Sequence, residues 1–195
     1  MILSPWRLVS WLLTLIVFGL PLAAAVLFVM AILGNPGTCE AEEQSIAHSP
    51  ALATSFQEKW DRLNTVLAFG SEASITLSEA EVTSRAEQWV IERDVPVSDL
   101  VICFSMEGGA ASGQVDVPFF PLDVDVLIRW TVDMTGETLK VEIEDIEVGG
   151  LPGPVADLVE NFIDDLIDDQ EEQLGLDFSY GVAFSDGEAT ISGQP

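Results

Sequence analysis

The sequence predicts an α+β protein: an N-terminal transmembrane helix, then a curved antiparallel sheet wrapped around a long amphipathic helix. Three observations predict it. Leu8 to Leu33 is a run without a single charge; the hydrophobic period changes from 3.6 to 2 after Pro96; and Leu151 to Leu174 sets its apolar residues on one helical face and its carboxylates on the other.

The uncharged run holds 26 of the 195 residues. At about 1.5 Å per residue it reaches about 39 Å, more than the roughly 30 Å of a bilayer's hydrocarbon core, so it spans with some tilt. Trp6 and Trp11 suit the headgroup level. A cleavable signal peptide is the rival reading, since Pro21 and Ala23 to Ala25 resemble a signal-peptidase site. Cutting there leaves "VLFVMAILG" at the head of a water-soluble product, which favours an uncleaved anchor. Arg7 and the α-amino group are the cations beside the span, so the N-terminus is expected in the cytoplasm and the rest outside the cell membrane. The expected division is a transmembrane anchor with a short cytoplasmic N-terminus (1–34), a connector and membrane-proximal helix (35–70), and an extracytoplasmic domain (71–195).

In the connector, Asn35 to Pro50 is polar and holds the chain's one histidine, His48. Ala51 to Phe69 has helical spacing, with Leu52, Phe56, Trp60, Leu63 and Leu67 along one face and Gly70 as the stop. A short strand follows at Ile75 to Leu77. Ser78 with Glu81 then forms a capping box that opens a second helix, whose apolar face is Val82, Ala86, Trp89 and Val90 and whose end is marked by Pro96.

Alternation now takes over. Leu100, Ile102, Phe104 and Met106 alternate with more polar residues, "EGGAASG" reads as a turn, and Val115, Val117 and Phe119 continue the pattern. The clearest strand is "LDVDVLIRWTVDM": Leu122, Val124, Val126, Ile128, Trp130, Val132 and Met134 occupy the even positions, and the odd ones are mostly polar, with Asp123, Asp125, Arg129, Thr131 and Asp133. One face is buried and the other wet. "TGE" turns the chain into Leu139, Val141 and Ile143, after which Ile146 and Val148 fall out of step, the mark of a bulge that bends the strand. After the long helix come Phe178, Tyr180, Val182 and Phe184, a turn at Asp186 and Gly187, and a closing strand through Ala189 and Ile191.

The long helix has its apolar residues at Val155, Leu158, Val159, Phe162, Ile163, Leu166 and Ile167. Burying seven such side chains is worth about 10 to 20 kcal/mol as an upper bound. That stripe needs a partner, and the apolar face of the bent sheet is the one this chain supplies. The opposite face, Asp164, Asp165, Asp168, Asp169, Glu171 and Glu172, reads as solvated; calcium needs oxygens converging from a loop, which a helix face does not give.

The net charge of −26 excludes nucleic acid as a partner, because the chain repels phosphate backbones. Like charges at Asp164/Asp168 and Asp165/Asp169 are a penalty that molar salt screens, so a salty native environment is expected, with a melting temperature that rises from low to molar KCl. Cys39 and Cys103 are in a disulfide-permissive setting, and two readings stay open: a bridge between them, or two unrelated thiols. With one histidine in the connector and no G-x-S-x-G, no nucleophile–base arrangement is drawn, so no catalytic residue, cofactor or Cys/His metal site is expected and the chain is read as not an enzyme.

"ITLSEAEVTSRAEQWV" as opening helix, "LKVEIEDIEVGGLPGPVADLVENFI" as strand, Gly/Pro break and long helix, and "DGEATISG" as closing strand resemble the tubular lipid-binding (TULIP) superfamily, in particular its single-domain extracytoplasmic bacterial members of the LmeA-like and YpmS-like kind. The resemblance runs from about Ile75 to Gly193 and lies in pattern, without a catalytic signature. It implies a greasy lumen between helix and sheet that holds the acyl chains of a membrane lipid or another long apolar ligand. Val124, Val126, Ile128 and Trp130 on the sheet and Leu158, Val159, Phe162, Ile163 and Leu166 on the helix are the implied lining; a solid core is the alternative use of the same side chains. The acidity departs from the pattern, since cations for headgroup recognition are scarce. The expected function is lipid binding or transfer by a membrane-anchored extracytoplasmic domain. The alternative is a non-catalytic structural or interaction subunit of an envelope membrane complex, with a closed tube and a protein partner.

Overall fold

The computed structural model of the chain describes residues 39, 46–116, 123–135, 140–149, 161 and 176–195. The uncharged run 8–33 and all of the long helix except Asn161, which is helical and exposed, lie outside the described residues. Among the described residues no helix is long and apolar enough to cross a membrane.

Among the described residues the fold is α+β, with two complete helices and two antiparallel sheets. Helix α1 is Pro50–Ala68, strand β1 Ala73–Ser78, helix α2 Glu79–Arg93, followed by β2 Val97–Ser105, β3 Gly108–Val115, β4 Val124–Asp133, β5 Lys140–Val148, β6 Ser179–Ser185 and β7 Glu188–Gln194. A four-stranded sheet runs β2-β3-β4-β5 and a three-stranded sheet β1-β7-β6. The single sheet expected from the alternation is thus two. The closing hairpin β6–β7 pairs with β1, and not with β5, because α1 covers the inner face of β1 and β7 and draws them into one core.

Helix α1 begins where its residues satisfy the exposed amides: Ser49 is the N-cap, its side chain accepting from the Leu52 amide, with Pro50 in the first turn. Leu63 and Leu67 are 1% exposed, with Phe56 and Trp60 packed at the margin. Helix α2 opens on the capping box, with Ser78 and Glu81 bonded reciprocally, and ends at Asp94 in the left-handed conformation (φ 54°). Its inward face differs from the expected one. Apart from Val90, the buried residues are Glu81, Thr83 and Ser84, while Val82, Ala86 and Trp89 are half-buried.

The polar residues of α2 face inward because each finishes a backbone or a charge. Thr83 Oγ1 accepts from the Ile102 amide at 2.9 Å and donates to the Ile102 carbonyl at 3.3 Å, and Glu79 Oε1 accepts from the Phe104 amide at 2.6 Å. The Gly187 amide takes the Phe104 carbonyl. Strand β2 is an edge, and α2 with the β6–β7 turn covers it, removing a template for pairing with other chains. Ser84 Oγ accepts from the Ser49 amide, joining the start of α1 to α2.

The Gly-rich "EGGAASG" is mostly strand rather than turn: Gly108 begins β3 and the turn is Met106–Glu107. The reason is steric. Gly109 stands directly across from Trp130, and a Cβ at 109 would run into the indole ring. Gly113 sits beside the bulge of β2, where a Cβ would be 3.1 Å from the Ser98 carbonyl oxygen. Small residues here admit neighbours onto the strand.

Candidate functional site

The register stacks the four-stranded sheet's apolar residues into rows, because residues directly opposite each other point to the same face. Phe104, Gly109, Trp130 and Ile143 form one row, and Ile102, Ala111, Ile128 and Ile146 the next. Gly113, Val126 and Val148 form a third, and Val97, Val115 and Val124 a fourth. No polar side chain interrupts these rows.

Two bulges shape the face. In β2 the pairing passes from Ser98 to Val101 with Asp99 at φ 50°, so two residues oppose Gly113. In β5 it passes from Asp145 opposite Arg129 to Ile143 opposite Trp130, leaving Glu144 unpaired. The second explains how Val141 and Ile143 keep the same face as Ile146 and Val148 despite the odd spacing. Each bulge raises the local twist and bends its strand.

The four expected sheet residues fall on this face in two environments. Val124 and Val126, at 4% and 3% exposure, pack with Val115 and with the half-buried Val97, Ile128, Ile146 and Val148. Trp130 belongs to an aromatic junction: its ring meets Phe104 edge-on at 6.4 Å and Phe184 edge-on at 5.9 Å, and Phe104 lies 5.6 Å from Phe184. Phe184 comes from β6, so this trio joins the two sheets. Leu158, Val159, Phe162, Ile163 and Leu166 lie outside the described residues.

Ile102, Phe104, Ile146 and Val148 share the face and are absent from the lining expected from sequence. For Ile146 and Val148 the signal was the phase slip after Ile143; for the two β2 residues it was their alternation, which does not say which strand they neighbour.

The opposite face of the sheet is charged. Arg129 donates from Nη1 to Asp145 Oδ2 at 2.7 Å and to Glu147 Oε1 at 2.6 Å, and the bond to Glu147, with Asp145 beside it, pushes the guanidinium still further from losing its proton. Gln114 Nε2 donates to Asp125 at 3.1 Å. Also on this side, Cys39 and Cys103 form a disulfide, 5.9 Å between Cα atoms, which fastens the connector to β2. Among the described residues no cluster of three or more His, Cys, Asp or Glu is placed to hold a metal ion.

These features define a class: an α+β domain of two joined antiparallel sheets, one with an uninterrupted and partly exposed apolar face and a charged, disulfide-fastened back. Compared with protein-family models and with curated proteins, the sequence matches none.

Proposed function

We propose that the protein is a membrane-anchored, extracytoplasmic lipid-binding or lipid-transfer protein of the tubular lipid-binding type, residues 8–33 holding it in the cell membrane with the N-terminus cytoplasmic. The observation that carries this reading is the four-row apolar face, bent by two bulges, on which Ile102, Ile128, Ile146 and Val148 remain half-buried. In the proposed fold the stripe of the helix at 151–174 lies over that face and acyl chains run between them. Transfer is then passive, with about 0.8 kcal/mol per buried methylene replacing what the bilayer supplied. The disulfide supports an oxidising compartment.

A second reading, a structural or interaction subunit with a closed tube, is favoured by one observation. The space over Gly109 is taken by Trp130, and that beside Gly113 by the β2 bulge, both from this chain.

Photo-crosslinking separates the two. The full chain, in membranes fed a fatty acid carrying a diazirine on its chain, is irradiated and digested. Label on the peptides containing residues 124–130 and 158–166 is expected for lipid carriage. Label restricted to 8–33 rejects carriage and leaves the closed subunit.

A further inference from the structure

The disulfide does not sit in a sealed core. It lines an open cleft of about 650 Å³ on the charged side of the four-stranded sheet, with Glu79, Glu107, Glu144, Asp186 and Arg129 around it. Both cysteines are half-buried. The one cation of this wall is already held by Asp145 and Glu147, so the cleft presents four carboxylates with little to offset them. Field lines from one sign of charge concentrate in a cleft and change the local concentration of charged reagents by about 10-fold to 1,000-fold.

The bridge also holds something. The Cys39 amide donates to Oγ of the buried Ser112 at 3.4 Å, Ile46 lies on the cleft wall, His48 Nδ1 stands 3.8 Å from Glu87 Oε1 on α2, and the Ser49 amide donates to Ser84 Oγ. The connector is therefore clipped to the sheet at 39, and it is held again from 46 to 49 against the cleft wall and α2.

We propose that the Cys39–Cys103 bridge is a thiol-exchange site, open to cationic and neutral thiols and screened from anionic ones by the acidic cleft, whose reduction releases the connector from the sheet. A reagent thiolate attacks one sulfur and expels the other as a thiolate. A second equivalent of reagent resolves the mixed disulfide. Two electrons pass to the cysteines, each sulfur takes up a proton, and the reagent leaves as its own disulfide. If residues 8–33 are an anchor, a consequence follows that rests on that reading alone. The leash between membrane and domain lengthens from residues 34–38 to residues 34–45, from about 17 Å to about 40 Å at full extension.

The test uses the full chain and three thiols: cysteamine, 2-mercaptoethanol and 2-mercaptoethanesulfonate. Reduction is followed by alkylation and mass, and each rate is divided by that thiol's rate on 2-hydroxyethyl disulfide to remove intrinsic nucleophilicity. At low salt the normalised rates are expected to fall in that order, with about tenfold or more between first and last. In about 1 M KCl the spread shrinks to less than about threefold. The triple variant Glu107→Gln, Glu144→Gln, Asp186→Asn narrows the low-salt spread, whereas removing three remote charges (Glu58→Gln, Glu72→Gln, Asp177→Asn) leaves it. Equal normalised rates at low salt overturn the proposal, as do rates independent of thiol concentration, which mean that the bridge opens only on unfolding. Release is read separately by hydrogen exchange: the amides of Cys39 and Ile46 are expected to exchange about tenfold faster on reduction and alkylation. An unchanged rate rejects the clamp whatever the thiols do, and neither readout depends on lipid.

Discussion

The described residues form two cores, and they are finished to different degrees. Under α1 and the three-stranded sheet, Leu63, Leu67, Leu77, Tyr180, Ile191 and Met134 come from five separate parts of the chain and exclude water, the first four at 1–2% exposure. Tyr180, stacked on Trp60 at 5.3 Å, also passes its hydroxyl hydrogen to Asn64 Oδ1 at 2.5 Å, so the largest side chain there is satisfied at both ends. On the four-stranded sheet the buried cluster is three valines, and the isoleucines beside them stay half-buried. Strand β4 serves both, its even face giving Val124 and Val126 to one core and Val132, with Met134 just past its end, to the other. One core is closed by four side chains at 1–2% exposure, while the other closes around three valines and leaves most of its remaining apolar face half-buried.

The sharpest way to break that contrast is a pair of truncations. Leu67→Ala removes a side chain at 1% exposure that fills the space over Gly193, where a Cβ would strike it, so relaxation into the hole is limited by backbone. A loss of about 3 to 5 kcal/mol is expected. Val126→Ala deletes less and borders a looser neighbourhood; about 1 to 2 kcal/mol is expected. Denaturant melts of the two variants measure both. Equal losses would mean that the two cores are equally closed.

Glu81 sharpens the comparison at the polar seam between α1 and α2. Burial pushes this carboxyl up, but the hydrogen bonds from Lys59, Ser55 and the Ser78 amide outweigh burial, and with the Lys59 charge beside it the pKa falls from 4.5 to about 2. A group depressed on folding contributes stability that is complete above the unfolded pKa and lost as pH falls through the folded one. The contribution, about 3 kcal/mol, is therefore whole above pH 4.5 and vanishes toward pH 2. Glu81→Gln should cost about 2 to 3 kcal/mol at neutral pH and almost nothing near pH 2. The two proteins' stability curves, measured by denaturant melts across that range, should converge. Parallel curves would show that the seam is held by packing and not by this charge.

What the sequence made legible follows the range of the interaction. Ser78 and Glu81 are three residues apart, so the capping box could be read; Lys59 is 22 residues from Glu81, so the ion pair could not. The slip after Ile143 announced the β5 bulge, because a change of phase is local. Pairing of β1 with β7, Ala73 opposite Gly193, leaves no mark in hydrophobic period, and hence one sheet was expected where there are two. "EGGAASG" read as a turn because glycine's usual cause is backbone freedom, whereas here its cause is Trp130, in another strand. The burial of Thr83 and Ser84 leaves no mark in the sequence, since their partners, the Ile102 backbone and the Ser49 amide, belong to other elements. For the candidate face, alternation gave the even residues of β4, and only the register supplied their neighbours.

The smallest expected effect lies at the end of α2, a part of the seam where neither core reaches. Asp94 holds φ 54°, and its amide reaches the carbonyls of Ile91 and Val90. In this region a Cβ crowds the following carbonyl, and aspartate is tolerated there better than most residues but less well than glycine. Asp94 also places a carboxylate at the helix's negative end, beside Arg93 in the last turn. Asp94→Gly removes both penalties. It also frees the unfolded chain, which offsets part of the gain. The net expected outcome is a rise of about 0.5 kcal/mol at low salt, shrinking at molar KCl as the dipole contribution is screened, read as the midpoint of a urea melt. A destabilised variant would show that Arg93 depends on this carboxylate more than the helix end is strained by it.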